Sequence, residues 1–454
     1  MRRALIFIAI GLILLGATGW ILYPNVRSDI LERIPFFNST PENVTLTYWG
    51  LWEPKEVMQP LIDKYQSENP HITIEYVVRD PATHYDVVNA RIASEGAPDI
   101  VRLHSTWVPS MTPFLSSAPK SVISVDDFKQ EFFPVNRQFL VKDNSVYGLP
   151  LMIDGIALVY NKDLFAAEGI TAPPTTWNEF RDYAARLTRI NSNGEMIQSG
   201  AAMGYGESID YSADLIALMM AQNGAVFQDE AGNVTFHNSL SAVGSNLGSE
   251  ALQFYSLFAK SEKSWDPRLG NSTDAFASGK VAMAFLPSHR VLEILNSSPK
   301  FKIGVAMVPQ LPSPTGEIRS QYWANFWSES VVKSSQHPEE AWKFLRWLSR
   351  EEQLISLYKN ESTVRAFGEP YPRTSMVSSL SSELYTGPYS GQGPSYTSWY
   401  IASGAFSSTL NNPIEKAIIE MLDNTARGLE SGPEGELINA AAKIQQVLTS
   451  IKAQ

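Results

Sequence analysis

The sequence predicts an α/β protein of two lobes behind one N-terminal membrane-crossing helix. Three observations carry that reading. The soluble part opens strand–helix–strand–helix–strand with short links, which makes an α/β unit with a parallel sheet. About 410 residues follow the first segments, too many for one hydrophobic core. The run from Ala4 to Tyr23 is apolar and uncharged, long enough to span a bilayer as a helix.

Arg2 and Arg3 precede that run, and no Lys or Arg follows until Arg27. The positive-inside rule keeps the N-terminus in the cytoplasm and sends the rest out of the cell. A secretory signal peptide fits the same residues, with Gly16-Ala17-Thr18-Gly19 small enough for cleavage. Trp20-Ile21-Leu22-Tyr23 continues the apolar run, however, and its rings suit a membrane interface. Residues 1–23 therefore read as anchor or signal segment. Residues 24–43, with prolines and polar side chains, read as a linker. The chain has no cysteine, which excludes a lipid-modified N-terminal cysteine.

Val44 to Trp49 is the first strand, alternating β-branched residues with others. The helix KEVMQPLIDKYQSENP presents Val57, Met58, Leu61, Ile62 and Tyr65 on one face, and Asn69-Pro70 stops it. Ile72 to Val78 is a strand, Tyr85 to Ser94 a helix and Ala97 to Leu103 a strand. Tyr147 to Tyr160 is a long extended run broken by Asp154-Gly155, which suits a crossover between lobes. Thr176 and Glu179 have capping-box spacing ahead of a helix. Further helices are expected over 210–222, 248–260, 271–278, 338–358, 413–429 and 433–451. A hairpin is expected over 227–236, and a Gly/Pro/Ser/Tyr loop over 386–398. No internal repeat is present.

Composition narrows the function. Lys and Arg total 36 against 47 Asp and Glu, a net charge of −11, which argues against nucleic acid and against a basic membrane-surface face. There is no phosphate loop, no H-E-x-x-H, no Cys/His metal pattern and no G-x-S-x-G elbow. Asn191 to Glu195 reads as a polar helix–helix turn rather than a calcium loop. No cofactor is implied. What stands out is the side chains just after strands, where ligands of α/β sheets bind. Trp52 and Glu53 follow the first strand, His104 and Trp107 the third, and Asp154 sits in the crossover. A sugar asks for that mixture of rings for its apolar face and hydrogen-bonding groups for its hydroxyls.

Five blocks then carry a family resemblance: GLPLMIDGIALVYNKDLFAAEGI with PPTTWNEF over 148–180, EGAPDIV at 95–101, AFASGKVAMAF at 275–285, VAMVPQLP at 305–312 and HPEEAWKFLRWLSREEQ at 337–353. In this order they resemble the extracellular solute-binding proteins of ABC importers, in the sugar-binding class typified by maltose-binding protein. The resemblance implies a type II periplasmic-binding-protein fold. Each lobe would be a mostly parallel sheet flanked by helices, the two would be joined by a hinge, and the ligand would be clamped between them. The first lobe is expected over 44–153 plus 309–370, the second over 154–308 plus 371–454.

Carried over position by position, the resemblance implies ligand contacts at Trp52 and Glu53, at His104, Thr106 and Trp107, at Asp154, and at Asp210 and Tyr211. Ser288-His289-Arg290 stand where the family has Gly-x-Trp, so His289 and Arg290 join the site and weigh against a simple neutral sugar. Trp323 and Asn325 stand in a segment that usually reads Gly-Gly, and Trp399 and Tyr400 end the aromatic loop. Trp49, Trp342 and Trp347 are expected to pack in the core. The resulting expectation is a monomeric, membrane-tethered receptor without catalysis or cofactor. It would bind a sugar or oligosaccharide and deliver it to ABC permease subunits. A sensor for a membrane signalling protein and a tethered glycoside hydrolase using Glu53 and Asp154 are the alternatives.

Overall fold

The computed structural model describes residues 42–94, 96–312 and 320–452. The chain divides into two compact units, Met1–Thr45 with Gln66–Thr73 and Leu46–Tyr65 with Ile74–Gln454. In the small unit the Val44 amide donates to the His71 carbonyl at 2.8 Å and the Ile72 amide to the Asn69 carbonyl at 2.9 Å. The expected membrane segment over 1–23 lies outside the described residues, as does the linker through residue 41. Among the described residues no helix is long and apolar enough to cross a membrane.

The strands that frame the site are β1 (Val44–Gly50), β2 (Ile72–Val78), β3 (Ile100–His104), β4 (Leu115–Ser116), β5 (Leu149–Pro150), β6 (Asp154–Gly155), β7 (Ala157–Asn161), β8 (Met283–Leu286), β9 (Ile303–Ala306), β10 (Tyr322–Asn325), β11 (Trp327–Val332) and β12 (Tyr396–Thr397). The helices around them are α1 (Lys55–Glu68), α2 (Pro81–Arg91), α3 (Trp177–Leu187), α4 (Ser212–Gln222), α5 (Leu247–Leu257), α6 (Ser288–Asn296), α7 (Pro338–Leu348), α8 (Glu351–Val364), α9 (Asn411–Arg427) and α10 (Gly432–Lys452).

The first sheet has the order β2-β1-β3-β11-β4, with β5 also on β11. Its opening follows the expected strand–helix alternation. In β1 Leu46 and Tyr48 are buried while Thr47 is half-buried, and β1 runs parallel to β3 with Tyr48 opposite Ile100. In α1 the predicted face of Val57, Met58, Leu61, Ile62 and Tyr65 is buried. β11 returns antiparallel to β3, and its register sets Trp327 opposite His104. That register decides the site, because both residues stand at the sheet edge where the β1 loop ends.

Both sheets depart from the mostly parallel expectation, and in the first β11 runs antiparallel to β3, β4 and β5. In the second, β7 lies between β8 and β9 and is antiparallel to both. A small third sheet, β12-β10-β6, links the two. The long crossover strand is three short pieces, β5, β6 and β7. Gly155 is needed in it because a Cβ there would lie 2.2 Å from the Trp323 carbonyl oxygen. The Thr176–Glu179 capping box is formed at the start of α3, an arrangement that holds a helix end by about 1 kcal/mol.

Other boundaries shift for local reasons. The helix expected at 210 begins at Ser212, because Tyr211 takes a left-handed backbone conformation with φ 58°. The 338–358 helix is two, α7 and α8, broken where Arg350 turns extended. The 227–236 hairpin reduces to one bridge between Gln228 and Val234, and 386–398 coils into a short helix Gly387–Gln392 before β12. Asn191–Glu195 turns between two short strands, Arg189–Ile190 and Met196–Gln198, rather than between helices.

Candidate ligand-binding cavity

A cavity of about 620 Å³ opens beyond the ends of β3 and β6, within the roughly 300–1,000 Å³ typical of small-molecule sites. Its aromatic wall stands on the first sheet. Trp52, 41% exposed, meets Trp327 edge to face at 4.8 Å between ring centroids. Trp327 is in turn buttressed by His104 and Trp107, each 5.0 Å away and near perpendicular. His104 Nδ1 lies 2.8 Å from Thr106 Oγ1, and burial pushes its imidazole down to about 3, so it stays neutral at pH 7.

The opposite wall is polar and comes mainly from α4, α6, α9 and the loops before them. Asp154 accepts from the backbone N–H of Ser288 at 3.0 Å, the Ser288 hydroxyl at 2.9 Å and the Gly155 N–H at 2.8 Å. It thereby caps α6, whose preceding residue, Pro287, has no side-chain hydrogen bond to give. His289 lies 3.5 Å from Asp154 and 2.9 Å from the Tyr211 hydroxyl. Arg290 bridges Asp210 at 3.2 Å and Glu293 at 2.5 Å, while Asn271 donates to Asp210 at 2.8 Å. Arg365 sits between Glu361 at 2.9 Å and Glu369 at 3.1 Å. Burial holds both of those carboxyls above the usual range despite that arginine.

Asp214, in the first turn of α4, is wholly buried yet lines the cavity. It accepts from the Asn325 side-chain amide and from the Ser403 backbone N–H at 3.0 Å. Burial raises its carboxyl to about 7, with the neighbouring Glu415 adding to the rise, and burial raises Glu415 as well. Two aromatic residues on the wall, Tyr211 and Phe406, hold positive φ angles of 58° and 54°. Such strain in bulky residues gathers at functional sites. Among the described residues no group of three or more His, Asp or Glu is disposed to hold a metal ion.

The structure brings eight of the expected residues to this cavity: Trp52, His104, Asp154, Asp210, Tyr211, His289, Arg290 and Asn325. Six others do not line it. Glu53 turns inward to Arg102, which also holds Glu329 at 2.7 Å. Thr106 and Trp107 both donate to Asn411 Oδ1 at 3.1 Å, and Trp107 is fully buried. Trp323 is buried with its indole N–H on the Ile401 carbonyl at 3.3 Å. Trp399 stacks on Phe227 at 5.3 Å, and Tyr400 packs against Phe139 and Trp399. Sequence reasoning missed Trp327, Asp214, Glu415, Arg365 and Phe406. Trp327 alone had a readable signal, since it opens a strand in the segment that holds Trp323 and Asn325.

The sequence pattern described as bacterial extracellular solute-binding protein matches residues 51–355. A binding protein of Brucella abortus (strain 2308) is 26% identical over 306 residues, covering 65% of this chain and 69% of its own. The maltotriose-binding protein of Pyrococcus abyssi is 21% identical over 324 residues, covering 68% of this chain and 63% of its own. The solved cyclic alpha-maltosyl-1,6-maltose binding protein from Arthrobacter globiformis is 19% identical with a TM-score of 0.71, covering 90% and 99% of the two chains. That likeness is one of fold: an α/β, two-lobed periplasmic-binding-protein architecture.

Proposed function

This chain belongs to the family of bacterial extracellular solute-binding proteins, and on that premise we propose that it is a carbohydrate receptor of an ABC importer. It holds a sugar or oligosaccharide in the cavity between its two lobes and hands it to permease subunits. The observation that carries this reading is the cavity itself, with the Trp52–Trp327 pair on one side and hydrogen-bonding side chains on the other. Rings cover the apolar face of a pyranose, and the polar groups fix its hydroxyls. Relatives named for mannitol and maltotriose support the substrate class.

The lobes fall at 44–153 plus 309–370 and 154–308 plus 371–454, and they close on the ligand by hinge motion. Membership of β11 in the first sheet supports the return of the chain to the first lobe after residue 309. The protein is a monomer tethered by the Ala4–Tyr23 run, with Arg2 and Arg3 inside the cell. A hydrolase reading has less support, because the Glu53 carboxylate is bound to Arg102 inside the fold.

Thermal shift against a panel of neutral and charged saccharides tests the receptor reading. A binding saccharide raises the melting temperature and is recovered intact. Turnover of that saccharide would sink the receptor reading. Tethering predicts that the protein sediments with membranes and retains the N-terminal peptide by mass spectrometry. A soluble form starting near residue 20 overturns it.

A further inference from the structure

Resting on that reading, we infer that the sugar this cavity takes carries a protonated amine, which the Asp214–Glu415 wall neutralises. The cavity is lined by seven carboxylates against two arginines. Both arginines are already engaged: Arg290 by Asp210 and Glu293, Arg365 by Glu361 and Glu369. Asp154 is occupied by the amino end of α6. Asp214 and Glu415 form no ion pair among the described residues, and the donors to Asp214, from Asn325 and Ser403, are neutral groups.

A fully buried carboxylate without a cation is costly to ionise, so folds seldom keep one. This one borders open cavity, where a ligand can supply the cation. A second observation points the same way. Asn325 Oδ1 is buried on that wall without a hydrogen-bond donor, although its own amide is engaged by Asp214. The wall thus offers acceptors, and an ammonium group brings three donors and a positive charge. A hydroxyl brings one donor and no charge, and would leave the carboxylates uncompensated. The aromatic pair opposite fits the carbon face of the same ring, so the ligand is an amino sugar or amine-bearing oligosaccharide.

Calorimetry on the full-length protein with matched pairs tests this: glucosamine, galactosamine and mannosamine mono- to tetrasaccharides, each against its N-acetylated counterpart, with neutral gluco- and manno-oligosaccharides beside them. The amine member should bind at least about tenfold more tightly than its acetylated twin. Asp214→Asn with Glu415→Gln should bring the twins to within about threefold, and a wild-type-like circular dichroism spectrum checks that the variant is folded. Equal or tighter binding of the acetylated or neutral sugars overturns the amine inference and leaves the carbohydrate receptor standing. Binding of no saccharide in either set overturns the receptor reading, and the amine inference with it.

Discussion

Two pairs of carboxylates in this molecule, all buried except the half-buried Glu415, meet opposite fates. Under the first sheet, Glu53 and Glu329 share Arg102, and all three side chains are about 1% exposed. At the cavity, Asp214 and Glu415 share no cation among the described residues. The first arrangement fixes geometry. Glu53 follows Trp52 and Glu329 lies two residues past Trp327, so Arg102 ties together the two segments that carry the aromatic pair. Tyr76 reinforces the tie by donating to the Glu53 carbonyl at 2.9 Å. The second arrangement leaves an unmet attraction. Charge compensated inside the fold gives shape, whereas carboxyls left open at a cavity are placed where a ligand can meet them.

The sharpest way to break the comparison is to remove the shared cation. Arg102→Met leaves two carboxylates buried without a partner and should cost about 3–5 kcal/mol of stability. Guanidinium unfolding of variant and wild type measures it. Adding Glu53→Gln and Glu329→Gln to the same chain should restore much of the loss, because the uncompensated charge is then gone. A single variant as stable as wild type would mean that the cluster does not behave as an ionised triad.

The cavity pair predicts a smaller effect with a pH signature. The Asp214 carboxyl ionises near 4 when unfolded and is raised to about 7 when folded. The folded state therefore binds the extra proton between those values. Its contribution is fully present below pH 4 and is lost as pH rises to 7, at up to about 1.4 kcal/mol per unit. His104 and His84 act in the other direction. Burial lowers them to about 3 and about 4, so they favour the unfolded state once pH falls below about 6.5. Asp214→Asn should thus gain on wild type by up to about 4 kcal/mol between pH 4 and 7, read from melting temperatures at each pH. A gap that does not change with pH would show that Asp214 is ionised throughout.

What was legible in the sequence follows from the range of each interaction. The apolar face of α1, the alternation in β1 and the Thr176–Glu179 cap are set by neighbours a few positions away, and they stand as read. Trp52 and Asp154 could be picked out because residues after strands and in the crossover form cavity walls, whereas Asp210 rests on the family resemblance. Glu53 could not be assigned to the interior, since its partner Arg102 is 49 residues on, and Glu329 lies 227 residues beyond that arginine. Asp214 is hidden in the apolar run SADLIALMMAQ, and its donors are 111 and 189 residues away. The antiparallel order of the second sheet likewise depends on β8 and β9 returning to β7 from more than a hundred residues downstream.

The smallest predicted effect separates the two halves of the aromatic wall. Trp107 is fully buried, with its indole locked to Asn411, so alanine there opens a cavity and costs about 3–5 kcal/mol before any ligand arrives. Trp52 is the informative position, because it is exposed on one face and held chiefly by Trp327. Trp52→Ala should leave the melting temperature within a few degrees of wild type and weaken saccharide binding by about 1 kcal/mol, the worth of one ring contact. Calorimetry on the variant reads the loss, and an unchanged affinity would remove Trp52 from the contact surface.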